Sequence, residues 1–454
     1  MRAMKDSGIK WIGEIPEEWE VVPFKSYFKL SKGLNITKEN LVPNGIPVIS
    51  YGQVHSKSNT GTSVNADLIK YVPKDFLETN PNCLLSVGSF IFADTSEDKE
   101  GCGNAVYVND KTNPFLFAGY HTIIANPKQY IKNKYLAYLF LTDCWRTQIR
   151  SMVTGIKVYS INQKCLNAST IICPPFSEQQ RIATYLDTKC GEIDELIGIQ
   201  EKFIEELKAY KQSVITEAVT KGLNPNATLK DSGVEWIGEI PEDWKVVRLK
   251  FLCKNEKYAI KTGPFGSQLK GDDLKEYGDT CVYTQRNVID NDFSTKYSYV
   301  NSDKAAQLSS FLTKKNDLLL TSRGTIGRCA ILSEHEEMGI LHPCLIAIRL
   351  DEDKCLNQWL QIYFNHTSCF RTDIQKKSNG TTIEVVYTEN LKNTFIPICS
   401  IDEQKIIIDK ITATSSQIDS LITLKQSKIE ELKSFKKSLI YEYVTGKKTV
   451  PENV

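Results

Sequence analysis

The chain lacks most of the short signatures that announce chemistry. It has 13 cysteines but no CxxC pair, so zinc-ribbon and thioredoxin-type spacing is absent. The cysteines are odd in number and scattered, as free thiols are; Cys329 and Cys344 lie in apolar runs and read as core. The five histidines are dispersed, and there is no HExxH and no GxSxG. The two glycines between Ser322 and Arg328 lack the Gly-Lys-Ser/Thr ending of a phosphate-cradling loop. No apolar run approaches the roughly 20 residues of a membrane span. No apolar stretch precedes the first polar segment, as a secretory signal would require. The expectation is a cytoplasmic protein with no membrane association, no metal and no catalytic centre.

What is present is a duplication. Residues 5–25 read KDSGIKWIGEIPEEWEVVPFK, and residues 230–250 read KDSGVEWIGEIPEDWKVVRLK. The offset from Lys5 to Lys230 is 225, and it recurs from Glu178-Gln179 to Glu403-Gln404 and from Asp194 to Asp419. A period that long is a repeated domain, beyond the roughly 20–50 residues of a solenoid unit. In each frame the tryptophans and isoleucines (Trp11, Ile12, Ile15 and Trp19 in the first) suggest a short segment docking its aromatics on something else. Between frame and helix lies a divergent region of domain size. The boundaries read as 1–173 (frame and first variable domain), 174–222 (first helix), 223–398 (second frame and variable domain) and 399–454 (second helix and tail).

Both variable regions mix strand and helix signals. Strands are expected at 47–51, 89–93, 121–125, 281–284, 317–322 and 344–348, with helical patterns at 134–150 and 356–376. The regions share a skeleton: YGQV (51–54) answers TQRNV (284–288), SVGSFIF (86–92) answers KKNDLLL (314–320), and GIKVYSI (155–161) answers GTTIEVVY (380–387). Each long helix follows a proline-bearing segment. Pro174 and Pro175 bar an earlier start to the first, and Ser177 with Gln180 reads as a capping box. Steps of three and four then place a seam at Ile193, Leu196, Gln200, Phe203, Leu207, Tyr210 and Val214. In the second helix it falls at Ile418, Leu421, Lys425, Lys428, Leu432, Phe435 and Leu439, with Ile429 available beside Lys428. The second helix begins where the second variable region ends, so it must run back along the first. The fold expected is α/β (α+β): two mixed domains joined by an antiparallel coiled coil with pseudo-two-fold internal duplication.

Charge and side-chain chemistry point to a polyanion. The whole chain carries a formal +1. Residues 21–173, however, hold 16 Lys and Arg against 10 Asp and Glu, whereas residues 251–400 balance. Gln285, Arg286 and Asn287 place three base-edge readers after a strand, since Arg suits guanine and Asn or Gln suits adenine. Arg323 and Arg328 flank a glycine turn. In the first half Tyr51, Gln53 and His55 hold the matching loop, and Lys157 and Tyr159 follow the Gly155 turn. Lys261 and Gln268 complete the DNA-binding candidates in the second half. Cys173–Phe176 reads CPPF, near the Asn/Asp-Pro-Pro-aromatic loop of adenine methyltransferases. Cys173 stands where Asn or Asp must bind the target amine, so the segment reads as a proline stop before a helix.

The duplicated KDSG-x-x-WIGEIPE-x-W frame resembles the specificity subunit of type I restriction–modification systems. So do the variable domains ending in PPFSEQQRI (174–182) and PICSIDEQKI (397–406), and the two long helices. TGPFGSQL (262–269) and LLLTSRGTIG (318–327) are similar to target-recognition segments of that family. The first half departs there, with SKGLNITK (31–38) and FADTSEDKEGCGN (92–104). The resemblance implies a non-catalytic subunit that binds a split, asymmetric double-stranded DNA target through two domains. It implies two modification (methyltransferase) subunits and restriction (ATPase/nuclease) subunits as partners, with S-adenosylmethionine, ATP and Mg held by them and no cofactor in this chain. The alternatives are a self-contained DNA methyltransferase or nuclease, which lacks a visible cofactor loop, and a coiled-coil scaffold, which leaves two divergent domains unexplained.

Overall fold

The computed structural model describes residues 2–109, 116–129, 134–155, 157–377 and 385–451; residues 380–384 of the GTTIEVVY stretch lie outside them. The chain forms two compact units, one of Met1–Glu201 with Ser427–Val454 and one of Lys202–Gln426. Each therefore contains part of both long helices, Phe176–Lys221 and Ile401–Val444.

In the first unit, β1 (Glu20–Pro23) and β2 (Phe28–Lys32) follow the frame. Then come β3 (Ile46–Ile49), α1 (Tyr51–Val54), β4 (Lys70–Val72), β5 (Phe90–Ala93), β6 (Ala105–Tyr107), β7 (Phe117–Ala118) and β8 (Thr122–Pro127). Helices α2 (Lys134–Leu141) and α3 (Asp143–Arg150) lead to β9 (Thr170–Cys173). The sheets run β2-β8-β5-β6 and β7-β3-β4, and β1 pairs with β9. Successive side chains of a strand point to opposite faces. Phe90 and Phe92 of β5 accordingly enter an aromatic core with Phe24, Phe28, Phe140 and Trp145, while Ile91 and Ala93 enter a second, aliphatic one.

The second unit repeats this order with every strand number raised by nine. Its elements are β10 (Lys245–Arg248), β11 (Ile260–Thr262), β12 (Thr280–Tyr283), α4 (Gln285–Ile289), β13 (Tyr299–Val300), β14 (Leu318–Thr321), β15 (Cys329–Ile331), β16 (Ile340–Leu341) and β17 (Leu345–Ile348). After them come α5 (Asn357–His366), α6 (Ser368–Lys377) and β18 (Phe395–Ile398). The sheets run β11-β17-β14-β15 and β16-β12-β13, with β10 on β18. Cys329 is buried in this unit's core and Cys344 is half-buried.

The frames work identically. Trp19 is fully buried and its Nε1–H donates to Glu178 at 3.0 Å; Trp244 is fully buried and donates to Glu403 at 3.1 Å. The neighbouring glutamines fold back, Gln179 donating to the Pro174 carbonyl at 2.7 Å and Gln404 to the Cys399 carbonyl at 3.0 Å. This explains the recurring Glu-Gln pair: one side chain holds the frame and the other holds the helix start. The first helix begins at Phe176, so Ser177 lies inside the first turn and is not its cap.

Within each unit the helices pair antiparallel. In the first, Lys436 holds Asp194 at 2.7 Å and Tyr185 packs on Tyr443; in the second, Lys211 holds Asp419 at 2.7 Å. The seam differs from the sequence reading at alternate positions. Ile193, Ile418 and Leu439 are buried, Leu207 and Leu432 are partly buried, and Gln200, Val214 and Lys425 are half-buried. Leu196, Phe203, Tyr210, Leu421 and Phe435 are exposed, and so is Lys428. The inward residues are Ile197, Ile204 and Lys211, and Ile422, Ile429 and Lys436. The steps are indeed three and four, but in the order four-three. Lys211 and Lys436 turn inward because each meets a carboxylate across the pair.

Candidate nucleic-acid interface

Strand register gathers the second unit's candidates at one edge. The last residues of β12 and β16, Tyr283 and Leu341, are parallel partners. Thr321 at the end of β14 pairs with Leu345 at the start of β17, and Thr262 at the end of β11 pairs with Ile346. The segments leaving these strand ends are α4, the Ser322–Arg328 loop and the turn after Thr262. The Gln285 amide ties two of them together by donating to the carbonyls of Arg323 at 2.6 Å and Thr325 at 3.2 Å. Arg323 and Arg328 are exposed and make no ion pair among the described residues. Arg286 is exposed, lies over the Tyr297 ring at 4.5 Å and only grazes Asp290 at 3.4 Å. All three guanidinium groups are exposed and have the chemistry to meet phosphate or a base edge.

Two candidates of the same unit do other work. Asn287 is fully buried: its Oδ1 accepts from the Thr284 N–H at 3.0 Å, and its Nδ2 donates to the carbonyls of Asp292 and Thr295 at 2.9 and 2.8 Å. Its amide is spent on the turn, so it braces α4 and does not offer itself to a base. Lys261 donates to the Ser310 carbonyl and lies between the Tyr258 and Phe311 rings; burial, then Arg349, lowers its pKa. Gln268 is exposed, with its side-chain oxygen accepting the Phe265 N–H at 3.0 Å.

The first unit builds the same edge from different residues. Gln53 occupies the place of Asn287, its Oε1 accepting the Ser50 N–H at 2.9 Å. Tyr51 packs edge-on against His55, Tyr120 and His121. The His55 ring is used at both nitrogens, by the Thr95 carbonyl at 2.7 Å and the Asn104 amide at 3.0 Å. Lys157 is exposed, and Tyr159 pairs with Ser96 in a short antiparallel ribbon, much as Val385 bridges Arg323 in the second unit. Between these elements opens a groove of about 690 Å³, lined in part by Tyr51, His55, Glu97, Asp98, His121 and Arg146.

Sequence reasoning missed Arg146, Tyr120 and His121. Arg146 donates from Nε to the Phe140 carbonyl at 2.8 Å, and burial, with Arg150 nearby, brings its guanidinium down to about 10. A signal for it exists: CWRT (144–147) and CFRT (369–372) keep the 225 offset and pair Arg146 with Arg371. Cys173 of the CPPF segment is buried, and burial pushes its thiol up to about 11, as suits a packed strand end. Among the described residues no cluster of His, Cys, Asp or Glu could hold a metal ion, and no helix is long and apolar enough to cross a membrane.

Two domains of one topology, each presenting its own polar and aromatic side chains at the same strand edge, form a duplicated fold. The chain belongs to the type I restriction modification DNA specificity domain family, whose model matches residues 16–209 and 241–434. Both limits shift by 225 (241 − 16 and 434 − 209), the offset of the repeat. The chain is 26% identical over 417 residues to the putative type I restriction enzyme MjaX specificity subunit of Methanocaldococcus jannaschii, covering 91% of this chain and 90% of that one. It is 21% identical over 417 residues to the EcoKI specificity subunit of Escherichia coli K12, covering 90% and 84%. Its fold is similar to the HsdS subunit from Thermoanaerobacter tengcongensis, with a TM-score of 0.52 at 16% identity over 95% of this chain and 98% of that one. A chain from a structure on assembly and conformational transition of the type I R-M system gives a TM-score of 0.69 at 16% identity, covering 95% and 99%. The protein is thus a DNA target-recognition subunit of a type I restriction–modification system.

Proposed function

We propose that this chain contributes recognition and no chemistry. Each unit reads one block of a split, asymmetric DNA target. Methylation of adenine and cleavage are carried out by cytoplasmic partners: two modification subunits using S-adenosylmethionine, and restriction subunits using ATP and Mg. The observation that carries this reading is the contrast between the units: the topology repeats strand for strand, while the reading edge changes from Arg286, Arg323 and Arg328 to Tyr51, His121 and Arg146. A shared frame with a divergent edge suits two targets of different sequence. The outward apolar side chains support partner docking. The first long helix exposes Leu196, Ile199, Phe203 and Tyr210, and the second exposes Leu421, Leu424 and Phe435, at helical spacing.

The test is methyl transfer from labelled S-adenosylmethionine to mixed DNA. The purified chain alone should transfer nothing, and adding the modification subunit should produce transfer at one bipartite site. Transfer by the chain alone would overturn the reading.

A further inference from the structure

One residue at the second unit's reading edge stands apart from the polar readers. Phe265 is 79% exposed, yet the turn that bears it is pinned on both sides. Before it, Gly263 passes so close to the His342 carbonyl that a Cβ would collide, its N–H donates to Leu345 at 2.9 Å, and Pro264 is buried with its φ fixed by the ring. After it, Gln268 folds back: its side chain accepts the Phe265 N–H at 3.0 Å and its own N–H donates to the Phe265 carbonyl at 2.8 Å. Leu269 then plugs into a core with Val282, Val300, Leu308 and Ile340. A rigid turn holding a large apolar ring in water gains nothing in the free protein. The close approach of Gly263 sets the turn against Leu341 and His342 at the end of β16, and Leu341 pairs with Tyr283 at the end of β12, the strand that leads into Gln285 and Arg286. In the first unit Gly33 makes the same approach to Gly119, but the residues that follow are buried Leu34 and polar, exposed Asn35. The apolar tip therefore belongs to the second unit alone.

We propose that Phe265 is a wedge that inserts between neighbouring base pairs in the block read by the second unit, partly unstacking them. This rests on the reading that this edge faces DNA. Apolar side chains used in this way unstack a base step and kink the duplex, and the bent DNA then lies along more protein surface, which offsets the cost. The exposed arginines of the same strand edge suit the phosphates on either side of such a step, and the pinned turn spares the ordering cost on binding. A broad apolar patch would suit a protein partner; a single ring on a strand edge that also bears exposed Arg286, Arg323 and Arg328 suits a stacked polyanion.

The experiment uses the full chain assembled with its modification subunits, on target duplexes defined by methylome sequencing. 2-Aminopurine placed stepwise through the second unit's block should brighten at one step with the native protein. Phe265→Ala should lose that signal and bind about 10- to 100-fold more weakly, while Phe265→Leu keeps most of both. A mismatch at that step should restore affinity to Phe265→Ala, because the unstacking is then already done. If native and Phe265→Ala complexes give the same fluorescence and affinity, the wedge is wrong. If Phe265→Ala instead fails to assemble with modification subunits without DNA, the ring is a protein contact and the wedge is again wrong. Arg286→Ala serves as the control: if it too leaves the block unchanged, this edge does not read DNA.

Discussion

Gln285, Arg286 and Asn287 look alike as base-edge chemistry, but successive residues of a helical turn point about 100° apart. Only one of three in a row can face outward fully, and here it is Arg286. Gln285 reaches sideways to the next loop and Asn287 turns in. Residue type was legible from sequence; direction was not, because direction depends on where α4 starts. Two expected outcomes separate these roles. Arg286→Ala should relax one block of the target by about 1–3 kcal/mol while the other block stays the same, as methylome sequencing of the variant would record. Asn287→Ala should instead lower stability by about 1–3 kcal/mol, the cost of stranding buried partners, measurable by denaturant unfolding. A clean change of specificity without lost stability in Asn287→Ala would count against its bracing role.

At the scale of the element, the long helices were visible from their proline-bounded starts and their three-four rhythm. The slip in the seam has a simple cause. Leu196, Phe203 and Leu421 are about as apolar as Ile197, Ile204 and Ile422 one position later, and single-helix periodicity cannot choose between adjacent stripes. The inward lysines misled as well, since Lys211 and Lys436 occupy core-facing positions only because Asp419 and Asp194 wait opposite. The two stripes predict opposite mutational behaviour. Ile193→Ala or Ile418→Ala should destabilise the chain by about 2–4 kcal/mol. Phe203→Ala or Tyr210→Ala should shift stability by less than about 1 kcal/mol yet weaken capture of the modification subunit. Thermal melting and a pull-down on the same variants would sort them; equal melting losses for both groups would remove the case for a docking stripe.

For the whole molecule, the duplication was the most legible feature because its offset is invariant across frame, helix start and seam. The content of each reading edge was least legible: its groove and aromatic cluster in the first unit arise from residues far apart in sequence. If the helices set the distance between the two blocks, removing one heptad from each, residues 204–210 and 429–435, takes out about 10 Å of each helix. At about 3.4 Å per base pair the unread gap should shrink by a few base pairs, with both blocks unchanged in sequence. An active double deletion that keeps its gap would discard the spacer role. The first long helix also gathers residues that are far apart in sequence. Arg2 binds Glu178, and one turn on, Arg181 reaches the carbonyls of Val450 and Pro451. Lys447 donates to the Glu14 carbonyl at 2.6 Å. Residue 2 and residues 450–451 are thus held within one turn of the same helix. A permutant that joins residue 451 to residue 2 and is cut after Gly222, beside the second frame, should keep the fold of each unit, which its thermal melting would check.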